Sequence, residues 1–169
     1  MAKIRTYSLA DYTLSVKVPD ELREIFLTGT SDTNDASDNT ITIGGTDSYM
    51  GSIQIRLATP QWSTNGDSTG SWVHNKSLDR HGTVQVEINQ VSDMSALLTR
   101  LFQTYYSADS TTEGLTITIQ KMVAGEPKQV CSCEDCYISN MSNIQYGDSA
   151  RNIEWEFTCG NIVFTSEIL

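Results

Sequence analysis

Cys131, Cys133 and Cys136 stand together in the run Cys131-Ser132-Cys133-Glu134-Asp135-Cys136, and Cys159 is the fourth cysteine of the 169-residue chain. Four thiolates suit a zinc ion or an iron–sulfur cluster. The spacing here is C-x-C-x-x-C, whereas ligand pairs usually come as C-x-x-C on tight turns. On an extended strand Cys131 and Cys133 share one face and Cys136 falls on the other, unless a bulge intervenes. Cytosolic thiols stay reduced, so a disulfide is not expected either. The four are expected to be small buried or interface thiols. A small Cys-rich metal-binding β domain, with Cys131, Cys133, Cys136 and Cys159 as ligands, is the alternative; otherwise no cofactor is expected.

Ser77, Asp79 and His81 supply the residue types of a nucleophile–base–acid set. They lie too close in sequence to converge without a tight fold, and no G-x-S-x-G elbow accompanies them. A loop near a strand start is the preferred reading. Gly44-Gly45 and Gly66 make no phosphate loop, because no G-K-[S/T] follows. Asp32, Asp35 and Asp38 recur at i, i+3, which is not the alternating ligand pattern of a calcium loop. A solvated acidic loop explains them. No catalytic constellation emerges, and an enzyme is not expected.

The surrounding chain decides what these residues are for. Lys and Arg number 11 and Asp and Glu 21, giving a formal charge of −10 and a pI near 4.4. A duplex-binding face would need clustered cations to replace phosphate counterions. Charged residues are only 19% of the chain, and Ser, Thr, Asn and Gln fill the gap. No apolar stretch approaches the ~18 residues of a membrane span. Met1 to Arg5 begins like a signal n-region, but Thr6-Tyr7-Ser8 follows instead of an apolar run. The chain is expected to be made and kept in a cytoplasm until lysis.

Period-two patterns predict strands. Tyr12, Leu14, Val16 and Val18 share one face; Thr40–Ile43 and Gly51–Ala58 flank the turn residues Gly44-Gly45-Thr46-Asp47. Val84, Val86 and Ile88 alternate with Thr83, Gln85, Glu87 and Asn89 over 82–89. Leu115–Val123 turns at Ala124-Gly125-Glu126-Pro127 into a partner strand over 128–138. Ile153–Cys159 follows, with Trp155, Phe157 and Cys159 on one side and Glu154, Glu156 and Thr158 on the other. Gly160-Asn161 is read as leading to a short tail. Asp20–Phe26 fits a helical turn or a short strand.

One strong helix is expected over 93–106. Met94, Leu97, Leu98, Leu101, Phe102 and Tyr105 form a single apolar stripe, and Ser92 or Asp93 can cap its first turn. Six such residues, at ~1.5–3 kcal/mol each when fully buried, make the helix a main source of stability. Residues 28–40 contain one Ala as their only apolar side chain, and 59–71 are polar apart from Trp62; both read as loops. Strands, one helix, then strands, with no βαβ rhythm, predict a mainly β fold. It is an antiparallel β-sandwich or half-barrel with one flanking amphipathic helix and long polar loops.

In element order the chain resembles the tail tube protein of contractile-tailed bacteriophages and phage-tail-like particles. Four stretches carry the resemblance: Thr6–Tyr12; Ile41-Thr42-Ile43-Gly44-Gly45; the strand Gly82–Ile88 running directly into the helix; and Asn152-Ile153-Glu154-Trp155-Glu156-Phe157-Thr158-Cys159-Gly160. It implies a structural virion protein, one domain over 1–169, assembled in the bacterial host cytoplasm. Six copies close into a ring, and rings stack into the inner tail tube that conducts DNA from capsid to host. Sheath, baseplate and tail terminator proteins are the implied partners, with DNA passing without specific binding and no membrane contact. On that resemblance Gln85, Glu87, Thr116, Thr118, Gln120, Glu126 and Glu134 are expected to face an acidic lumen. Loops 28–40 and 57–78 are expected to make subunit contacts, through Trp62, Trp72, Asp32 and Asp35. The cysteine-dense stretch is not a feature the family implies.

Overall fold

The computed structural model describes residues 7–26, 39–45, 50–109 and 111–165. Its centre is a seven-stranded antiparallel half-barrel. The strands are β1 (Tyr12–Lys17), β2 (Thr40–Gly44), β3 (Met50–Leu57), β6 (Gly82–Asn89), β7 (Leu115–Val123), β8 (Glu126–Met141) and β9 (Asn152–Phe164). They lie in the order β2-β1-β7-β8-β9-β6-β3. The remaining strands, β4 (Trp62–Gly66) and β5 (Trp72–Lys76), pair only with each other. Asp20–Phe26 is a 3-10 helix that buries Leu22 and Ile25.

Alternation generates the two faces of the sheet. In β6 every second residue, from Gly82 to Ile88, is buried, and those between are half-buried. The same pattern places Leu14 and Val16, Ile117 and Ile119, and Trp155 and Phe157 in one core. Helix α1 (Asp93–Ser107) covers that core face with Met94, Leu97, Leu98 and Leu101, while Phe102 and Tyr105 pack partly buried beside them. Its N-cap is Ser92, whose hydroxyl accepts from Met94 N at 3.3 Å and satisfies one of the donors left free in the first turn.

Three expectations change. The glycine pair at 44–45 does not fold β2 back onto β3. Those strands stand at opposite edges of the sheet, and β2 pairs with β1, Leu14 opposite Ile43. Nor does β9 stop at Cys159: it runs on through Gly160 and Asn161 to Phe164, opposite β8 throughout. The polar segment within 57–78 is a β-hairpin, described below as an arm. Strand bounds elsewhere agree within a few residues.

The β7–β8 turn has a testable defect. Ala124 and Gly125 connect the strands as a two-residue loop, and both have positive φ, 54° and 84°. Such turns favour Asn-Gly, because most L side chains are strained there. Ala124→Asn should therefore stabilise the fold by about 0.5–1 kcal/mol in a denaturant titration.

Candidate functional site

The cysteines lie where a bulge puts them. The β7–β8 register slips between Cys133 opposite Ile117 and Cys136 opposite Leu115, and Asp135 takes a φ of 54°. The bulge adds one residue, so Cys136 returns to the core side while Glu134 and Asp135 are both exposed. Asp135 fits because its neighbours lack side chains. A Cβ on Gly114 would come within 2.7 Å of Asp135 Oδ1, and one on Gly160 within 3.3 Å of Asp135 Oδ2. All four thiols are buried. Cys136 faces Cys159 across β8–β9, and Cys131 Sγ lies 3.7 Å from Cys133 Sγ. The hydrogen bond to Cys133, and then burial, push the Cys131 thiol far above its ordinary pKa. Among the described residues no group of three or more His, Cys, Asp or Glu side chains is placed to hold a metal ion.

Ser77, Asp79 and His81 do come together, as a structural clasp. His81 Nδ1 lies 2.6 Å from Asp79 Oδ1, and His81 N donates to the same oxygen at 3.1 Å. Thr59 Oγ1 donates to Asp79 Oδ2 at 2.8 Å. The Asp79 carboxyl is thereby drawn down to about 2, chiefly by the His81 ring and then by the His81 and Thr59 donors. Ser77 Oγ is taken up by Asp79 N at 3.2 Å, so the hydroxyl is aligned on the backbone.

The clasp sits at the root of the arm formed by β4 and β5. Ala58 N donates to His81 O at 3.0 Å, and Ser77 N to Gln61 O at 2.8 Å, which closes the two legs on each other. Every residue of β4 and β5 is exposed. One face of the arm carries both tryptophans. Trp62 stands opposite Lys76, whose ammonium lies 5.7 Å from the ring centroid; Thr64 Oγ1 and His74 Nδ1 are 2.9 Å apart; and Trp72 is opposite Gly66. The tip is held by Asp67. Its Oδ1 accepts from the Thr69 hydroxyl at 2.6 Å and from Thr69 N and Ser71 N at 2.9 Å each, which lowers the Asp67 pKa. The β-propensity of Trp, Thr and Val and this closed turn make strands where polarity suggests a loop. Asp32 and Asp35, in the 28–40 segment, lie outside the described residues.

The face of the sheet turned away from the core is polar. Gln85 and Glu87 of β6 and Thr116, Thr118 and Gln120 of β7 all project from it, half-buried. Glu134 stands exposed beside the bulge, and Glu126 is exposed at the β7–β8 turn, beyond this face. Two residues of this face outside the expected set are Glu154 and Glu156. Gln85 Nε2 donates to Glu156 Oε2 at 2.7 Å, and Ser139 Oγ donates to Glu156 Oε1 at 3.2 Å. Glu87 lies directly opposite Glu154. Like charges in that position oppose strand pairing, so an acidic lane runs along β6 and β9 at a cost in stability. The alternation of β9 was the signal for both residues; what it could not give was their neighbours.

The fold is shared with known assemblies. The sheath/tube terminator of an extracellular contractile injection system, PVC, in its extended state matches with a TM-score of 0.56 at 10% identity, over 98% of this chain and 100% of that one. The tube-terminating cap of the anti-feeding prophage matches with a TM-score of 0.54 at 8% identity, over 98% and 94%. A chain of the extended PVC sheath–tube complex matches with a TM-score of 0.54 at 11% identity, over 95% and 91%. At these identities the likeness concerns the fold. No curated protein sequence matches the chain. The sequence itself matches the model of the bacteriophage PhiTE tail tube protein family over residues 45–165, most of its length and all of the arm, β6, α1 and the β7–β9 sheet. The chain belongs to that phage tail tube family, and is a structural protein rather than an enzyme.

Proposed function

We propose that the chain is the repeating subunit of an inner tail tube. Six copies close into a ring, rings stack into a tube, and the tube conducts DNA from the capsid to the host during ejection. The tube stands in the tail of a virion assembled in the bacterial cytoplasm, with sheath, baseplate and terminator proteins as partners. The observation that carries this, beside family membership, is a half-barrel with strands at both edges and a polar second face. Open edges invite aggregation unless they are paired or covered. Closure through repeated head-to-tail contacts covers them and turns the polar face into a lumen wall.

The acidic lane of Glu87, Glu154 and Glu156, with the hydroxyl and amide groups of Thr116, Thr118, Gln120 and Gln85, suits such a wall. Carboxylates repel phosphates along this lane, and the cations Lys17, opposite Thr116, and Arg56, opposite Thr83, stand away from it on the outer strands β1 and β3. The 28–40 segment and the arm, with Trp62 and Trp72, are assigned to contacts between subunits. Sedimentation tests the ring, which should run at about 112 kDa, six times 18.7 kDa. The lumen is tested by Glu87→Lys. The change turns a like-charge cross-strand pair into an opposite-charge pair, so stability should hold or rise by about 0.2–1 kcal/mol. Particles should assemble but eject DNA poorly, read as a fall in infectivity per particle. Normal ejection by those particles would take Glu87 off the wall.

A further inference from the structure

The arm holds the pair Asn65-Gly66, the only Asn-Gly in the chain. Asn-Gly ordinarily occupies the two central positions of a tight hairpin turn. Here it lies outside the turn, which runs from Asp67 to Gly70: Gly70 N donates to Asp67 O at 3.2 Å, and Gly70 takes a φ of 84°. Asn65 and Gly66 precede it within β4, opposite Val73 and Trp72. Gly66 lacks the positive φ that would call for glycine, and a Cβ placed on it would meet the Trp72 ring at an ordinary 3.7 Å. Neither the turn nor the packing requires this pair. The register also frees the nitrogen that matters. Ser77 N bonds to Gln61 O and Asp67 N to Ser71 O, so the hydrogen-bonded pairs of the ladder are those of residues 61, 63, 65 and 67. Gly66 belongs to a non-bonded pair, and its N–H points out of the hairpin. Both residues are exposed.

We infer that Asn65 is a self-modifying site, at which the free subunit deamidates and loses the arm's competence for assembly. The Gly66 backbone nitrogen attacks Cγ of Asn65. A new C–N bond forms, the bond from Cγ to the side-chain nitrogen breaks, and ammonia leaves with the proton given up by Gly66 N. The reaction is intramolecular, and glycine offers no side chain to hinder the approach. Water then opens the five-membered succinimide. Breaking the new bond at Cγ leaves aspartate at position 65. Breaking the original peptide bond leaves isoaspartate, whose main chain runs through the side chain and is one carbon longer. No oxidant or cofactor enters. Ring closure requires Asn65 to leave the extended conformation. A two-stranded ribbon standing alone is marginally stable, and β4 and β5 bury no residue, so local opening of the arm supplies that freedom. An extra backbone carbon at 65 falls in a bonded pair, between the ladder bonds that hold Trp62 and Trp72 on one face. That consequence for assembly rests on the arm's assignment to subunit contacts; the chemistry does not.

Ageing the purified full chain below its assembly concentration tests both halves. Tryptic mapping should show the peptide 57–76 gaining the mass of a side-chain NH2 replaced by OH, with isoaspartate detected by methyltransferase labelling. Gly66→Ala, which the Trp72 contact distance accommodates, should slow that gain tenfold or more while leaving the melting temperature nearly unchanged. Aged chain should lose assembly in proportion to its isoaspartate, and equally aged Gly66→Ala chain should keep it. An unmodified 57–76 peptide in the aged chain, or an equal rate in Gly66→Ala, would overturn the site. Aged, modified chain that assembles like fresh chain would overturn the consequence for assembly. A fresh chain that never assembles would overturn the tube reading instead, and the mass gain would still decide the modification by itself.

Discussion

Replacing residues 62–76 with a Gly-Ser turn should leave a folded, soluble subunit that no longer builds tubes. The arm places no side chain in the core, its strands pair only with each other, and all of their residues are exposed. The cut falls between Gln61 and Ser77, whose backbone hydrogen bond already closes the legs. Shortening a surface connection of this kind changes loop-closure entropy by only about a kcal/mol or less, so the melting temperature should move by a few degrees at most. Assembly should be lost altogether. Trp62 and Trp72 are 56% and 72% exposed on the same face of the arm, and large aromatic side chains left in water mark surfaces that another protein covers. Hydrogen exchange gives the complementary reading: arm amides should be protected in the assembled state and exchange faster in the free subunit. Normal tubes from the shortened chain would remove the arm from polymerisation.

Trp155→Ala should destabilise the subunit by about 3–5 kcal/mol, a large part of the ~5–15 kcal/mol that holds a domain of this kind together. Trp155 is fully buried at the middle of the sheet, between Val86 on one side and Met141 on the other. Its Nε1 is buried without a hydrogen-bond partner. Trp155→Phe removes that unpaired donor while keeping most of the ring, so it should cost far less than the alanine change, since an unsatisfied donor of this sort weighs about 1–3 kcal/mol against the native side chain. Guanidinium titration of the three proteins, followed by far-ultraviolet circular dichroism, separates the two contributions. Equal losses from both substitutions would mean that Nε1 is satisfied in solution.

Elements whose reason is local were legible in the sequence. β6 and α1 each bury one face, so period two and period 3.6 stand out, and Ser92 caps where the pattern begins. Features set by a partner strand were not. Gly160 looks like a stop, yet it serves the bulge at Asp135 on the neighbouring strand, and the same bulge returns Cys136 to the core. The pairing of Gln85 with Glu156 joins residues 71 apart, so a polar face was readable strand by strand while its acidic lane was not. The arm escaped notice for a different cause. Neither of its faces is buried, so no alternation of apolar and polar residues marks its strands. The family resemblance lay in the order of elements, which survives where the registers are hidden.

Electron microscopy of the purified chain, concentrated stepwise, tests the central claim most directly. A tube subunit should give closed rings whose end-on averages have six-fold symmetry, and at higher concentration stacks of those rings with a continuous central channel. Isolated monomers at every concentration, or open aggregates without a channel, would contradict it.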